Sequence, residues 1–386
     1  MQKHLFYNKN KNKEGRGRMI LNEFMELVQI DSGSLQEREI ADAVIAKLRN
    51  IGCDVWEDTE MIEHINGTAG NIYAVLEGSI PGAILFSAHL DRVPNGKGIK
   101  PFIEDGKVIA QGTILAADDI SGVVAILDGI RKIKSSGQPH PRIEVIFTVC
   151  EERFVTGSRY IDYGRLTAKE GYVLDSPGRI GRVINGAPAK ARISYEVKGR
   201  NAHAGNAPEQ GINAVMAAAK ALVRIPEGRL DEESTANYST FEASGPTNVV
   251  NAKAVVRGEA RSRNNEKLKA YIENVQQVCK ETAIETGADF NVDIINDYQS
   301  FLVPLESKCI QRVGRVFQKM DISMCVEAGG GGMDANRLNE HGITCVGLAT
   351  GYSKNHTSSE TLVIEDLLRA GEMVENLIYE YALEHN

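Results

Sequence analysis

Two glutamates stand side by side at positions 151 and 152, directly after the apolar stretch Ile143–Cys150. Adjacent carboxylates repel each other, and a buried pair is tolerated only if positive charge lies between or beside them. A bound metal ion is one source of such charge. The doublet Glu151–Glu152 therefore points first to metal chemistry.

Further residues that can bind metals stand at or just beyond other apolar runs. They are His89 and Asp91 at the end of AILFSAHLD, the doublet Asp118–Asp119, Asp175 after GYVL, and His356 after GLATGYSKN. Each has an ordinary interpretation when taken alone: Asp118 is compatible with a helix N-cap, and Asp175 with a turn before Ser176-Pro177. Their joint occurrence at successive strand ends favours a carboxylate-rich dinuclear metal centre.

His89 and Asp91 are two residues apart on an extended segment, so both side chains point to the same face. An aspartate in this position can accept the second ring N–H of a metal-bound histidine and fix its tautomer. The pair therefore predicts a ligand and the residue that orients it.

Composition limits the classes of function. A chain of 386 residues exceeds what one core usually holds, so we expect two domains. The net charge of −8 argues against nucleic acid or an anionic membrane surface as partner. Six cysteines without a C-x-x-C pair predict single buried thiols and a cytoplasmic location. Residues 1–18 are rich in Lys, Asn, Arg and Gly and are predicted to be an N-terminal extension.

The elements that must position these residues alternate along the first part of the chain. Ser34 and Glu37 predict a capping box for a helix that Gly52 ends. Apolar runs predict strands at 71–76, 83–88, 143–149 and 172–174, and a helix at 121–134. Buried strands that alternate with helices predict an α/β fold, a mixed sheet with helices on both faces. Ligands collect at the carboxyl ends of such strands.

The pattern changes after Asn185. Alternating polarity at 191–198 predicts a strand with one solvated face. Helices at 209–225 and 266–286 and strands at 247–250, 254–261 and 290–294 complete a βαββαβ segment, while the α/β alternation resumes near Val303. We therefore predict a discontinuous catalytic domain, residues 19–186 and 300–386, interrupted by an α+β (ferredoxin-like) domain at 187–299.

The glycine run Gly329–Gly332 precedes Met333-Asp334. The chain has neither a P-loop nor a dinucleotide-binding glycine motif here, so nucleotide binding is not favoured. A flexible backbone that approaches a substrate fits better, and the amides at the start of the following helix could receive a substrate carboxylate.

A family resemblance rests on these same motifs. SAHLD (87–91), LAADDISG (115–122), CEE (150–152), VLDS (173–176) and GYSKNHTSSE (351–360) resemble the metal-site motifs of the zinc-dependent M20 peptidases. GRNAHAGNAPEQGINAV (199–215) resembles the lid segment of the family, and GGGGMDANRLNEHGI (329–343) its substrate-side glycine run. The match runs in the family's order over nearly everything after Met19 and is most similar to the tripeptidase T-like branch.

The resemblance implies a role for each matching residue. His89, Asp118 and Asp175 would hold one zinc ion, and Glu152, His356 and the shared Asp118 the other. Asp91 would orient His89, and Glu151 would be the general base for water held between two metals about 4 Å apart. His203 would stabilise the oxyanion in the partner subunit of a homodimer formed through the inserted lid domain. The implied substrate contacts are Asn248, Arg261, Gly330 and Gly331.

Three positions depart from the family pattern: Arg92 replaces the usual Thr, Ile120 the usual Lys, and Phe154 a usual Gly. All three are expected near the cleft, where they would affect substrate preference or rate. The leading hypothesis is a dizinc aminopeptidase that acts on short peptides, above all tripeptides, and cobalt or manganese could replace zinc. The alternatives are a carboxypeptidase, an N-acyl-amino-acid amidohydrolase, or a non-catalytic peptide-binding protein, and the presence of Glu151 argues against the last.

Overall fold

The computed structural model describes residues 18–385, so the predicted extension lies outside the described residues except for Arg18. The described chain divides into two compact units. The larger unit comprises residues 18–186, 302–329 and 333–385, and the inserted unit comprises residues 187–301 and 330–332. The sequence predicts an inserted domain at residues 187–299, whereas the inserted unit also includes Gly330–Gly332 of the glycine run.

The helices and strands are numbered in chain order. The helices are α1 (18–27), α2 (Arg38–Ile51), α3 (Glu60–Ile65), α4 (Ala117–Ser136), α5 (Thr156–Arg159), α6 (Ala214–Leu222), α7 (Asn265–Thr286), α8 (Lys308–Lys319), α9 (Asp334–Glu340) and α10 (Ile364–His385). The strands are β1 (Asp54–Glu57), β2 (Ile72–Leu76), β3 (Ile80–His89), β4 (Pro101–Glu104), β5 (Lys107–Ala110), β6 (Pro141–Thr148), β7 (Glu170–Ser176), β8 (Arg182–Ala187), β9 (Ala189–Lys198), β10 (Gly228–Arg229), β11 (Ser234–Glu242), β12 (Lys253–Ser262), β13 (Asp289–Tyr298), β14 (Phe301–Leu302), β15 (Cys325–Ala328), β16 (Thr344–Ala349), β17 (Tyr352–Ser353) and β18 (Thr361–Val363).

A mixed sheet of nine strands forms the centre of the larger unit, in the order β1-β2-β6-β3-β7-β16-β8-β14 with β15 beside β8. Its central strands β6, β3, β7 and β16 run parallel to one another. These strands are buried along most of their length because helices such as α4 and α10 pack against the sheet. This confirms the predicted mixed α/β fold. A smaller sheet, β17-β18-β5-β4, lies in the same unit.

The start of α2 differs from its prediction. Ser34 and Glu37 do not form a capping box, since the side chain of Glu37 makes no cap hydrogen bond to the helix. Ser34 instead donates to Asp91. The predicted end of the helix is correct: Gly52 has φ 96°, and its N–H bonds to the last turn of the helix.

The inserted unit is an antiparallel sheet in the order β10-β11-β12-β9-β13. The long strands β11-β12-β9-β13 with helices after β9 and β12 give the predicted βαββαβ arrangement. Helices α6 and α7 pack on the sheet around a core that includes Ile193, Tyr195 and Val275.

Three predictions within this unit were wrong. Strand β11, with the polar sequence STANYSTFE, was missed because it has no continuous apolar face. The segment 247–250 forms only an isolated bridge, His203 to Val249, rather than a strand. Helix α6 begins at Ala214 instead of Glu209, because Asn213 accepts the N–H of Met216 and caps the helix there.

Within residues 18–385, no helix combines the length and the apolar character that a membrane span requires.

All six cysteines are free thiols. Five are buried as predicted, whereas Cys325 is exposed.

Candidate metal centre

Three neighbouring strands bring most of the candidate ligands to one edge of the large sheet. His89 is the last residue of β3, Asp175 lies near the end of β7, and Glu151–Glu152 follow β6. Because these strands are adjacent and parallel, their carboxyl ends meet at this edge, where His89 lies beside Thr148 of β6. Asp118 joins them from the start of α4, and His356 from the turn between β17 and β18.

Asp118 lies between the two histidines. Its Oδ1 is 3.1 Å from His89 Nε2, and its Oδ2 is 3.3 Å from His356 Nε2. Each carboxylate oxygen therefore faces a different imidazole, as a carboxylate that bridges two metal ions would.

The remaining acids lie on either side of Asp118. Asp175 Oδ1 is 3.9 Å from His89 Nε2, whereas Glu152 Oε1 is 2.9 Å from His356 Nε2. The structure thus brings together all five residues for which the sequence suggests a ligand role. Their contacts divide them into two groups that share Asp118.

Glu151 is buried next to the first group. Ligand atoms of Glu151, His89 and Asp175 lie within 4.8 Å of one another, as do those of His89, Asp118 and Glu152. Geometry alone therefore makes Glu151 either a ligand or a base beside the ligands. Glu152 contacts His356 at 2.9 Å and lies near His89 and Asp118, whereas Glu151 lies near His89 and Asp175.

The cluster contains more buried carboxyl groups than positively charged groups to balance them. Burial, and then repulsion from Asp175, raises the pKa of Glu151 well above its ordinary value. Burial, and then repulsion from Asp118, likewise raises the pKa of Asp175. At Asp118 burial also opposes ionisation, but hydrogen bonds with His356 and His89 outweigh it and lower the pKa. Buried carboxylates that repel one another fit a site for divalent cations, and the imidazole and carboxylate donors suit zinc.

The neighbouring carboxylates stabilise the charged form of the two histidines and raise their pKa values. Hydrogen bonds to Asp118 and then Glu152 raise the pKa of His356 to about 10. Burial disfavours the charged form of His89, but its bonds to Asp118 and Asp91 outweigh burial and raise its pKa. A proton on each ring partly supplies the positive charge that the acids require, and a metal ion would take its place.

Asp91 contacts more than His89. The ring Nδ1 of His89 is 3.0 Å from the carbonyl oxygen of Asp91 and 3.4 Å from its Oδ1. The carboxylate oxygens accept the backbone N–H groups of Glu151, at 2.8 Å, and Glu152, at 3.2 Å. Asp91 therefore lies against both the histidine and the acidic doublet.

Three polar residues around the ligands were not predicted from the sequence. Tyr352 donates to Asp175 at 3.1 Å, and Asn355 donates to Asp118 at 2.7 Å. Buried Glu360 accepts the N–H groups of Leu115, Ala116 and Asp118. All three belong to the GYSKNHTSSE motif, in which only His356 was singled out, so the signal was present in that motif.

Two of the predicted substrate-side residues lie together in the inserted unit. His203 is exposed, and its Nδ1 accepts the N–H groups of Gly205 and Asn206. A neutral imidazole with Nδ1 as acceptor carries its proton on Nε2, which can then donate. The carbonyl of Asn248 accepts the N–H of Ala204, which places Asn248 on the neighbouring segment. Arg261, on β12, instead donates to Glu259 at 2.8 Å.

The glycine run fits its prediction only in part. Gly330 and Gly331 are exposed, with open space where a Cβ would lie, whereas a Cβ at Gly332 would be 2.2 Å from the Tyr298 ring. Among these three glycines, close packing requires only Gly332. The helix that follows is short and begins with buried Asp334, so an acidic side chain already lies at the end where a substrate carboxylate was expected.

The three departures from the family pattern have different environments. Arg92 and Ile120 are each 1% exposed, so neither can contact a substrate directly. Arg92 bonds to Ser32 and to the carbonyls of Val28 and Gly96. Phe154 is 38% exposed and has φ 70°. An effect of Arg92 or Ile120 on substrate preference or rate would therefore be indirect, and it stays a prediction.

Comparison with known proteins identifies a family that this chain matches. Residues 85–380 match the model of peptidase family M20/M25/M40. The protein YqjE of Bacillus subtilis is 38% identical over 372 residues, which cover 94% of this chain and 98% of YqjE. Peptidase T of Clostridium perfringens is 25% identical over 419 residues, which cover 93% of this chain and 98% of that protein.

Solved structures agree with the family match. Aminopeptidase PepT from Bacillus cereus is 38% identical, with a TM-score of 0.88 over 95% of this chain and 99% of that chain. A tripeptidase from Staphylococcus aureus is 32% identical, with a TM-score of 0.90 over the same shares. A dinuclear metal-binding peptidase of family M20 from Bacillus subtilis, YxeP, shares the fold at 16% identity and a TM-score of 0.76, over 97% of this chain and 100% of that chain.

Proposed function

The chain belongs to peptidase family M20/M25/M40, and we propose that it is a dizinc aminopeptidase that removes the first residue of short peptides, above all tripeptides. The observation that carries the proposal is Asp118, buried between two histidines with Glu151 and Glu152 beside it. The similarity to an aminopeptidase PepT and to a tripeptidase supports the choice of substrate.

Two overlapping groups of residues would hold the ions. His89, Asp118 and Asp175 form one group, and Asp118, Glu152 and His356 form the other. When bound, two zinc ions supply positive charge that polarises a peptide carbonyl and lowers the pKa of water toward neutrality. Tyr352 and Asn355 fix the orientation of Asp175 and Asp118 through their hydrogen bonds.

Glu151 has the position that a general base requires. It would take a proton from the attacking water and pass it to the amine that leaves. Its carboxylate lies within 4.8 Å of ligand atoms of His89 and Asp175, next to the first proposed zinc site, and the two proposed sets of ligands do not include it. Burial excludes bulk water from the carboxylate, so the proton it accepts is retained for the leaving group.

His203 would stabilise the oxyanion, because its Nε2–H is free of the backbone contacts that occupy Nδ1. We assign this role to the partner subunit of a homodimer formed through the inserted unit. The exposed apolar side chains of Met216 on α6, of Val223 just after it and of Ile284 on α7 are consistent with an interface on that unit. Asn248, Arg261, Gly330 and Gly331 are proposed substrate contacts. The free thiols are compatible with a reducing compartment such as the cytoplasm.

The test is identification of products by mass spectrometry. Zinc-loaded protein is incubated with tripeptides that carry a free or an acetylated N-terminus, and Glu151→Gln protein is the control for contaminating peptidases. Release of the first residue from free-amine peptides alone supports the proposal. Cleavage of acetylated peptides would instead indicate an N-acyl-amino-acid amidohydrolase, and release of the last residue a carboxypeptidase. Binding without cleavage would indicate a peptide-binding protein.

A further inference from the structure

The backbone of the acidic doublet lies outside the regular hydrogen bonding of the sheet. Glu151 and Glu152 follow β6 in a turn, and the preceding Cys150 has φ 54°. The consecutive N–H groups of Cys150, Glu151 and Glu152 all donate to carboxylates, at 3.1, 2.8 and 3.2 Å. The direction in which the doublet points therefore depends on the side chains that provide those carboxylates.

The first of these side chains is Asp91. It accepts two of the three N–H groups, and its Oδ2 also accepts the hydroxyl of Ser34 at 2.5 Å. Asp91 is 1% exposed, so no bulk water competes for its oxygens. Three donors in different directions fix the rotation of the carboxylate, and the Ser34 hydroxyl is the one that comes from outside the metal-site strands.

The second side chain is Glu37. It stands immediately before α2, yet its Oε1 accepts the N–H of Leu35 at 2.9 Å and that of Cys150 at 3.1 Å. The Sγ of Cys150 lies 3.5 Å from the same oxygen. Glu37 is fully buried. A residue expected to cap its own helix thus holds the turn that precedes Glu151.

The segment that carries Ser34 is itself tied to the strand end that carries Asp91. The Ser32 carbonyl accepts the N–H of Arg92 at 3.1 Å, and the Ser32 hydroxyl donates to the Leu90 carbonyl at 2.9 Å. The Arg92 guanidinium donates to the Ser32 hydroxyl at 3.0 Å. These bonds hold residues 32–34 close to the strand end that carries Asp91.

We infer that Ser34 and Glu37 are positioning residues of the active site: through Asp91 and the N–H of Cys150 they aim the carboxylates of Glu151 and Glu152. The inference rests on the proposed function for the role of Glu151. A displacement of about 1 Å at a reacting group can lower a rate about 100-fold, so small losses of alignment have measurable effects.

The experiment uses paired variants of the full-length, metal-loaded protein. Ser34→Ala and Glu37→Ala remove the contacts, whereas Ser34→Thr and Glu37→Gln keep a hydroxyl and an acceptor oxygen. Ser135→Ala and Glu39→Ala, at exposed positions on α4 and α2, are the matched controls. We expect each contact-removing variant to lower kcat about 10- to 100-fold with little change in KM, and the conservative variants to recover most of it.

A second readout does not depend on turnover. Cobalt is loaded in place of zinc, and its visible absorption spectrum and its affinity in competition with a chelator are compared between variants. A moved Glu152 alters the ligand field, so Ser34→Ala should change the spectrum while Ser34→Thr and the controls match the wild type. Circular dichroism and the thermal midpoint verify that each variant is folded under assay conditions.

An unchanged spectrum and an unchanged kcat in folded Ser34→Ala would overturn the inference, as would a loss of kcat that Ser34→Thr fails to restore. If Glu37→Ala does not fold, the Ser34 pair still decides. A wild-type protein inactive on tripeptides would reject the proposed function, whereas the cobalt spectra would still test the positioning of the doublet. The two failures are therefore distinguishable.

Discussion

The two units use their polar residues in opposite ways. In the larger unit, His89, Asp118 and Glu151 are buried, and neighbouring side chains and backbone amides fix them. In the inserted unit, His203 and Asn248 are exposed on connecting segments, and what holds them is mainly backbone pairing between those segments.

This difference separates two properties that an enzyme of this kind combines. A buried cluster with its own hydrogen bonds is preorganised, so metal binding needs no residue of the inserted unit. An exposed histidine can act only on what approaches it, so the contribution proposed for His203 is to turnover. Metal content and rate should therefore respond independently to changes in the two units.

The largest effect is expected from Glu151→Gln in the larger unit. Removal of the proposed base should lower kcat at least about 100- to 10,000-fold, because the amide that replaces the carboxylate cannot accept the proton. Metal content, measured by plasma mass spectrometry, should remain near two ions per chain, as expected for a dinuclear site. Glu63→Gln, at an exposed position, is the matched control. Loss of metal along with activity would make Glu151 a ligand instead of the base.

His203→Ala tests the role of the inserted unit. We expect kcat to fall about 100- to 1,000-fold, the effect of losing one oxyanion donor, with unchanged metal content. Mixing this variant with Glu151→Gln should restore part of the activity if His203 serves the partner subunit, since one site in each mixed dimer keeps both residues. No recovery, with mixed dimers verified by native mass spectrometry, would reject the role across subunits.

His356→Ala should reduce metal binding, because this residue pairs with Glu152 and with one oxygen of Asp118. The expected stoichiometry falls from about two ions to about one, and the activity falls at least about tenfold. His64→Ala, on α3, provides the control. An unchanged stoichiometry at low free zinc would remove His356 from the ligand set.

The smallest effect concerns stability and is confined to one unit. Chelation of the metal should destabilise the larger unit by about 2.7 kcal/mol if zinc was present at about 100 times its Kd. Hydrogen exchange should then increase in peptides from α4, while peptides from α7 in the inserted unit should exchange as before. Equal acceleration in both helices would show that the two units do not respond independently.

Local patterns predicted much of this fold. The buried runs of β3, β6 and β7 appeared as continuous apolar segments, and the alternation of β9 marked the inserted sheet. Strand β11 was missed because six of its nine residues are polar, and such a composition resembles a loop in a single sequence. The segment 247–250 gave the opposite error, since a short apolar pattern does not guarantee a partner strand.

In the candidate site, too, local patterns predicted some features and missed others. The types and spacing of His89, Asp118, Glu152, Asp175 and His356 were sufficient to suggest metal chemistry, because so many donors rarely follow successive strands by chance. Ser34 and Glu37 were assigned to a helix cap, whereas their partners are Asp91 and the N–H of Cys150. A capping box and a long-range contact need the same residue types, so the sequence alone could not distinguish them.

The amino-acid sequence by itself thus determined which donors exist, where the strands that carry them end, and that a second sheet interrupts the first. Only the tertiary structure decided that the two oxygens of Asp118 face different histidines and that Glu360 and Glu37 hold the turns before the two acidic doublets. Periodicity reports the local environment of a residue, whereas a contact between residues more than 100 positions apart exists only after the strands have packed side by side.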